Sequence, residues 1–419
     1  MNRWSSFATR MGSFALLLTL FLCTAPSHAA PPSAHYIIHS DLDPELTRDL
    51  GRRMDAMYDE YGRRLSDFSQ VDQLAPFDVH LFARRVDYMK FTDNRLPNTG
   101  GVFISGENKL AAFLEGQGRD GLRRTLQHEA FHQFAHAAIS PDLPVWINEG
   151  LAQVFEEGLW TGDRFWIGHV PPRRVRQLQA DLRDGRIEPF EKFMHQTHES
   201  WASTLASDAE GGAARYNQAW AMIHFLIYAG DESNNYRERL LTMLSLIHRQ
   251  VDGTAAFERA FGTNYAGFQT RFTDWARNLS PSPEAAMIER HEMLADMLIE
   301  FAKIGKRFST VSDFRQYAVR SKIILSYRKG NIAWQSSNDV DRYFRDADGK
   351  SYTNQTLCFD MTAGQLPAIV ARPTPTLEIR ARFVGEGAQL ERDIEVRELS
   401  ADGSQASSDT GRLSAVDDR

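Results

Sequence analysis

Residues 125–139 read TLQHEAFHQFAHAAI, and within them His128-Glu129-Ala130-Phe131-His132 has the form HExxH. Four residues are just over one helical turn, so on a helix the two imidazoles lie on one face about 6 Å apart. Both ring nitrogens can then bind one ion at ~2.0–2.1 Å. Glu129 sits beside that face, where it can reach a water on the ion without ligating it, as a general base requires. A catalytic zinc needs a third protein ligand and an open position. Seventeen residues after His132 comes Glu149, in PVWINEGLAQVFEE at 144–157. The link 140–145 is short and carries Pro141 and Pro144, so a second helix from about 146 must fold back on the first and can turn Glu149 toward the histidines. Ile147, Leu151 and Val154 would form the packed stripe of that helix. A carboxylate in such a half-buried place is costly unless it is paired or binds metal.

The chain upstream reads as a small sheet with a helical cover. Residues 35–40 (HYIIHS) read as a strand. Residues 43–66 read as a helix with Leu46, Leu50, Met54, Met57, Tyr58 and Tyr61 at helical spacing and Pro44 near its start. Residues 77–83 alternate as a strand, and 102–105 with 109–114 read as a short hairpin after Gly100-Gly101. Downstream, helices are expected over 119–138, 146–157, 213–229, 233–249, 254–261 and 264–278. Phe257, Phe261, Phe268, Phe272 and Trp275 are candidate core. The interval 160–212 is poorly patterned, and its arginines (Arg173, Arg174, Arg176, Arg183, Arg186) read as a solvated face.

Ser280-Pro281-Ser282-Pro283 marks a boundary. A helix at 284–304, with Met287, Met293, Leu294, Met297 and Phe301, is expected to pack on the preceding domain. Strands follow at 318–327, 355–360, 376–384 and 390–398, the last two as a hairpin. The β segment would form a small sandwich or an edge-pairing module. Residues 401–419 are Ser-, Asp- and Gly-rich and read as a disordered tail.

HEAFHQF followed by PVWINEGLAQVFE resembles the gluzincin metallopeptidases. Asn148-Glu149-Gly150-Leu151-Ala152 is similar to the third-ligand helix of M1-type aminopeptidases, while the spacing and the compact preceding sheet look closer to the bacterial peptidase MA-like families of the DUF1570 type. The resemblance spans roughly 35–278. It implies a zincin-like catalytic domain (small N-terminal mixed sheet plus helical subdomain) over 30–280. With the helix plus β-rich region read over 281–400, the fold class is α+β. The resemblance also implies one Zn2+ held by His128, His132 and Glu149, with Glu129 as base. The M1 pattern has two more residues between the second His and the Glu, and its exopeptidase signature is not matched. Ser105-Gly106-Glu107-Asn108 echoes it faintly and reads better as a Gly-Asn turn closing a hairpin. Gluzincins of this kind often carry a tyrosine on a later helix as an oxyanion donor; Tyr216, in RYNQAWAMIHFL, is either that residue or a packed aromatic.

Other histidines are excluded from this ion. His136 is about 12 Å along the helix from His128. The third histidine of a metzincin would fall at Ala138. His198-Glu199 and His291-Glu292 have Ala202 and Ala295 where a second histidine would be.

Composition bounds the rest. The 419 residues are 42% hydrophobic and 25% charged, with 48 Lys+Arg against 55 Asp+Glu, so a core is available and no basic surplus points to nucleic acid or anionic lipid. Two cysteines, Cys23 and Cys358, exclude a four-cysteine zinc site. Arg3 and Arg10, the apolar run 11–22 and Ser27-His28-Ala29 read as a bacterial signal peptide cut after Ala29. That run is too short for a ~20-residue bilayer span, so an exported, periplasmic or secreted protein without stable membrane insertion is expected. Cys358 would then be alone, as a small buried residue. The expected reaction is peptide-bond hydrolysis, with a peptide or protein as partner. Two alternatives remain: a zinc-bound but catalytically silent scaffold with a partner-binding C-terminal module, and an amidase acting on cell-wall bonds.

Overall fold

The computed structural model describes residues 33–399 except 69–73, 75, 95–98, 231–233, 330–331, 347, 362–365 and 388–389. The expected signal peptide and the tail 401–419 lie outside the described residues. The chain begins with β1 (Tyr36–Ser40), α1 (Pro44–Arg64), β2 (Phe77–Phe82), α2 (Arg85–Phe91), β3 (Gly101–Ile104) and β4 (Lys109–Phe113). The sheet order is β1-β2-β4-β3. β1, β2 and β4 run parallel and β3 returns antiparallel to β4 at one edge. This is the small mixed sheet the alternation implied. Helix α2 had no counterpart in the sequence pattern, because its seven residues bury only Tyr88.

In β2, Phe77, Val79 and Leu81 point inward, while Asp78, His80 and Phe82 lie on the other face. The inner face packs with α1 and with α3 (Gly118–Ala138). Helix α1 starts at Asp43, whose carboxylate accepts the N–H groups of Glu45 and Leu46. Its predicted apolar stripe is buried, and the Tyr61 hydroxyl donates to the Gln127 carbonyl of α3 at 2.8 Å. Helix α3 is enclosed on several sides. Leu122, Leu126, Phe131 and Phe134 are each at most 1% exposed, and each contributes roughly 1.5–3 kcal/mol by leaving water. Ser105–Asn108 forms the β3–β4 turn, with Asn108 at φ 51°, so the echo of an exopeptidase signature there is a turn.

Helix α4 (Val145–Glu156) follows the proline-bearing link, and Ile147, Leu151 and Val154 are buried as the stripe required. It packs against α3 and α8 (Ala209–Tyr228). At Gly150 a Cβ would stand 2.4 Å from Ile223 Cγ1 and 2.6 Å from the Ala219 carbonyl oxygen, so α4 and α8 cross where a side chain would not fit.

The interval 160–212 differs from expectation. It holds the hairpin β5 (Leu159–Trp160) and β6 (Phe165–Trp166), then α5 (Pro172–Arg183), α6 (Phe190–Met194), α7 (His198–Ser207) and the start of α8. These helices are short or bury narrow stripes, Val175 and Leu178 in α5 and Phe190 and Phe193 in α6, too few apolar positions to display a period. α9 (Tyr236–His248), α10 (Gly253–Phe261) and α11 (Tyr265–Asn278) complete this part.

Beyond it come α12 (Pro283–Lys303), α13 (Val311–Ser321), β7 (Ser326–Lys329), β8 (Ile332–Gln335) and β9 (Leu357–Asp360). β10 (Ala368–Thr374), β11 (Leu377–Val384) and β12 (Glu391–Glu398) follow. The last four strands form one antiparallel sheet, β12-β11-β10-β9, a single layer and not a sandwich. The start of the expected strand at 318–327 is the end of α13. Thr310 caps that helix through the Asp313 N–H, and Phe314 and Ala318 are buried four residues apart, a helical signal hidden beside the β-branched Ile323 and Ile324. Most of the apolar stripe of α12 packs with the C-terminal sheet, contrary to expectation. Only its start, at Met287 and Ile288, also meets Leu159 and Trp166 of the β5–β6 hairpin. Cys358 is exposed, also contrary to expectation, because its neighbours Leu357 and Phe359 take the inward side of β9. No helix among the described residues is long and apolar enough to cross a membrane.

Polar contacts join β12 to the first turns of α3. Glu391 accepts the Arg119 N–H at 2.9 Å. Arg123 donates to Asp393 at 2.6 Å, and Arg392 to Asp120 at 2.7 Å.

Candidate metal centre

His128 and His132, one turn apart on α3, meet Glu149 from the first turns of α4. Their Nε2 atoms are 3.0 Å apart. Glu149 Oε2 lies 3.3 Å from His128 Nε2 and 3.6 Å from His132 Nε2, with all three side chains 11–13% exposed. Tetrahedral bonds of ~2.0–2.1 Å separate ligand atoms by about 3.3–3.4 Å, so the three atoms already have the spacing of a shared ion.

The outer ring nitrogens have partners of their own. His132 Nδ1 is 3.0 Å from Asn148 Oδ1. His128 Nδ1 is 3.4 Å from Glu156 Oε2 and 3.3 Å from Gln153 Nε2. A proton on His132 Nδ1, facing the Asn148 oxygen, leaves its Nε2 lone pair directed inward at Glu149. At His128 Nδ1 the Glu156 carboxylate favours the same proton, while the Gln153 amide nitrogen, turned there by the bond from Arg174 to Gln153 Oε1, favours a lone pair. Glu149 Oε2 is buried and accepts no well-formed hydrogen bond among the described residues. Three converging lone pairs require a cation among them, a proton or a metal ion. Burial alone would lower the His128 pKa, but Glu149 and Glu156 override it and raise it to about 10. His132 is raised likewise, against burial, by Glu149. Burial would raise the Glu149 pKa, yet the two imidazoles hold it well below the usual carboxylate range.

Glu129 is not one of the three converging groups. Its Oε2 accepts the backbone N–H of Phe103, on edge strand β3, at 2.9 Å. Tyr216 reaches the site from α8, its ring centroid 6.5 Å from that of His128 and 5.3 Å from that of Trp201. Burial, then the nearby Glu149 charge, lifts its pKa well above the ordinary tyrosine value, so its hydroxyl keeps its proton near neutral pH. All five residues singled out in the sequence are thus gathered at one place. His136 packs on Phe103 instead, and His291 bonds the Ile369 carbonyl at 2.9 Å, away from the cluster.

Asn148, Gln153 and Glu156 had no assigned role in the sequence, although Gln153 and Glu156 follow Glu149 by four and seven residues, the spacing of one helix face. Behind them lies a buried charge cluster. Glu157 accepts from Arg124 at 3.0 Å, from Arg174 at 2.9 Å and from Arg173. Arg174 also donates to Gln153 Oε1, whose amide nitrogen faces His128. Arg173 and Arg174 are therefore not a solvated face, because Glu157 draws them inward.

The fold and site define an α+β protein with a buried His-His-Glu cluster on two packed helices. Residues 123–243 match the family model described as a protein of unknown function (DUF1570), a match that supports this family and covers under a third of the chain. His128, Glu129, His132, Glu149 and Tyr216 all lie within the matched segment. No curated protein matches the chain.

Proposed function

We propose that the chain is a zinc-dependent hydrolase of the gluzincin type that cleaves peptide bonds. The observation that carries this reading is the convergence of His128 Nε2, His132 Nε2 and Glu149 Oε2, with Glu129 held beside them but outside the ligand set. Bound there, zinc supplies Lewis acidity that polarises a carbonyl and acidifies a water. Glu129 then takes a proton from the attacking water and passes it to the leaving amine. Tyr216, kept protonated by its burial, donates its hydroxyl hydrogen bond to the oxyanion that develops on the carbonyl. Asn148 holds the His132 imidazole in the tautomer that presents Nε2, and the Glu156 carboxylate favours the same tautomer of His128.

A digest of a peptide library by the purified protein, with and without chelator, tests the reading. Cleavage should stop with chelator and return with Zn2+. Glu129→Gln should keep its zinc and lose turnover by roughly 10²–10⁴-fold. Cleavage that survives chelation, or an unimpaired Glu129→Gln enzyme, overturns the proposal.

A further inference from the structure

We propose that His39, Asp78 and His80 form a second divalent-cation site, suited to a borderline transition-metal ion such as Zn2+, on the outer face of the N-terminal sheet.

The backbone sets the arrangement. His39 and His80 are register partners across the parallel β1–β2 pair, so both side chains leave the same face of the sheet. Asp78 and His80, two residues apart in one strand, share that face. His39 Nε2 lies 3.2 Å from Asp78 Oδ1. Each residue offers one ligand atom, and the three atoms lie within 4.8 Å of one another. The two imidazoles stack at 4.6 Å with 14° between their planes, and Phe91 of α2 backs the His80 ring at 4.5 Å.

A second observation points to a ligand. His80 Nε2 is buried and has no hydrogen-bond partner among the described residues, and a cation bound at that nitrogen would supply one. Lys109, the register partner of Asp78 on β4, is answered by Glu107 at 3.0 Å. Two imidazoles and one carboxylate are a donor set for zinc and similar ions. The His39 side chain is 53% exposed, so its ring can rotate out of the stack, as binding one ion through the in-plane lone pairs of both rings requires.

This cluster is separate from the His-His-Glu centre. It lies on the sheet face opposite the one that packs with α3, and it draws on none of the same residues. β1 is an edge strand of the sheet. An ion shared between His39 on β1 and the two ligands on β2 would clip that edge in place, a cross-link independent of cysteine.

Metal counting on the full chain tests the proposal. The metal-free protein is equilibrated with ZnCl2 at neutral pH, freed of loose ion, and assayed for zinc per chain. His39→Ala and His80→Ala should each lower the count by about one ion relative to the unaltered chain. His128→Ala with His132→Ala should leave the outer ion in place. Asp78→Asn, which keeps the side-chain shape, should weaken retention of the outer ion and guards against a folding defect. Unchanged counts in the His39 and His80 variants overturn the proposal. A fall of one ion in those variants supports it even if the His-His-Glu centre retains none, so its failure and that of the proposed hydrolase are distinguishable.

Discussion

The backbone N–H of Phe103 donates to the Glu129 carboxylate at 2.9 Å. The side chain proposed as the base is thereby tied to the edge strand of the sheet as well as to its own helix. A hydrogen bond to a charged group is worth ~1.5–3 kcal/mol, enough to fix the carboxylate in one orientation. Proline is tolerated at sheet edges and lacks the donor. Phe103→Pro should therefore lower kcat/KM by roughly 10–100-fold relative to Phe103→Ala, which loses the ring but keeps the N–H. Equal rates in the two variants would show that the bond has no part in turnover.

Asn148 takes the outer nitrogen of His132 at 3.0 Å. Partners of this kind fix ring orientation, and their loss typically weakens metal affinity 10–100-fold. Asn148→Ala should show that loss in a chelator competition with Zn2+ while circular dichroism stays unchanged.

Glu157 is 4% exposed and is the shared acceptor of Arg124, Arg173 and Arg174. Glu157→Gln removes the one carboxylate that all three guanidinium groups share. A destabilisation of about 3–5 kcal/mol is expected, read as a lowered denaturation midpoint. A midpoint within error of the unaltered chain would contradict the reading of a buried, coupled cluster.

Asp49 accepts from Arg53 at 3.0 Å and from Arg123 at 2.8 Å. Burial would raise its pKa, but these two guanidinium groups bring it below the ordinary value. A carboxyl whose folded pKa is depressed stabilises above its unfolded pKa of ~3.9. That stability is lost as the pH falls through the lower folded value. Asp49→Asn should therefore melt lower than the unaltered chain at pH 7, with the gap narrowing as the pH drops below about 4. A gap that does not change with pH would count against the ion pair.

The His-His-Glu cluster was legible because its geometry is local. His128 and His132 are one turn apart, and the proline-bearing link leaves α4 little choice but to return Glu149 to them. Tyr216 was reachable only through likeness to other proteins, since 67 residues and three further helices separate it from Glu149. The Phe103–Glu129 bond was not legible at all, because a backbone donor has no signature in side-chain identity. His39 and His80 were hidden for another reason. Their pairing depends on strand register across 40 residues of intervening chain, which the alternation in either strand does not fix. The missed helices α5 and α6 and the misread start of α13 share one cause. Each buries only a few apolar residues, so tertiary packing and caps decide the local structure where periodicity is weak.

Gly150 has a consequence that reaches beyond its own contacts. Since no methyl group fits between α4 and the Ala219 carbonyl, the separation of the two helices that carry Glu149 and Tyr216 is gauged by bare backbone. The width of the cleft between them is then a property of the scaffold and not of its loops. Lengthening or recomposing the surface segments around the site can alter what enters it, but it leaves the span between those two side chains where the crossing has set it.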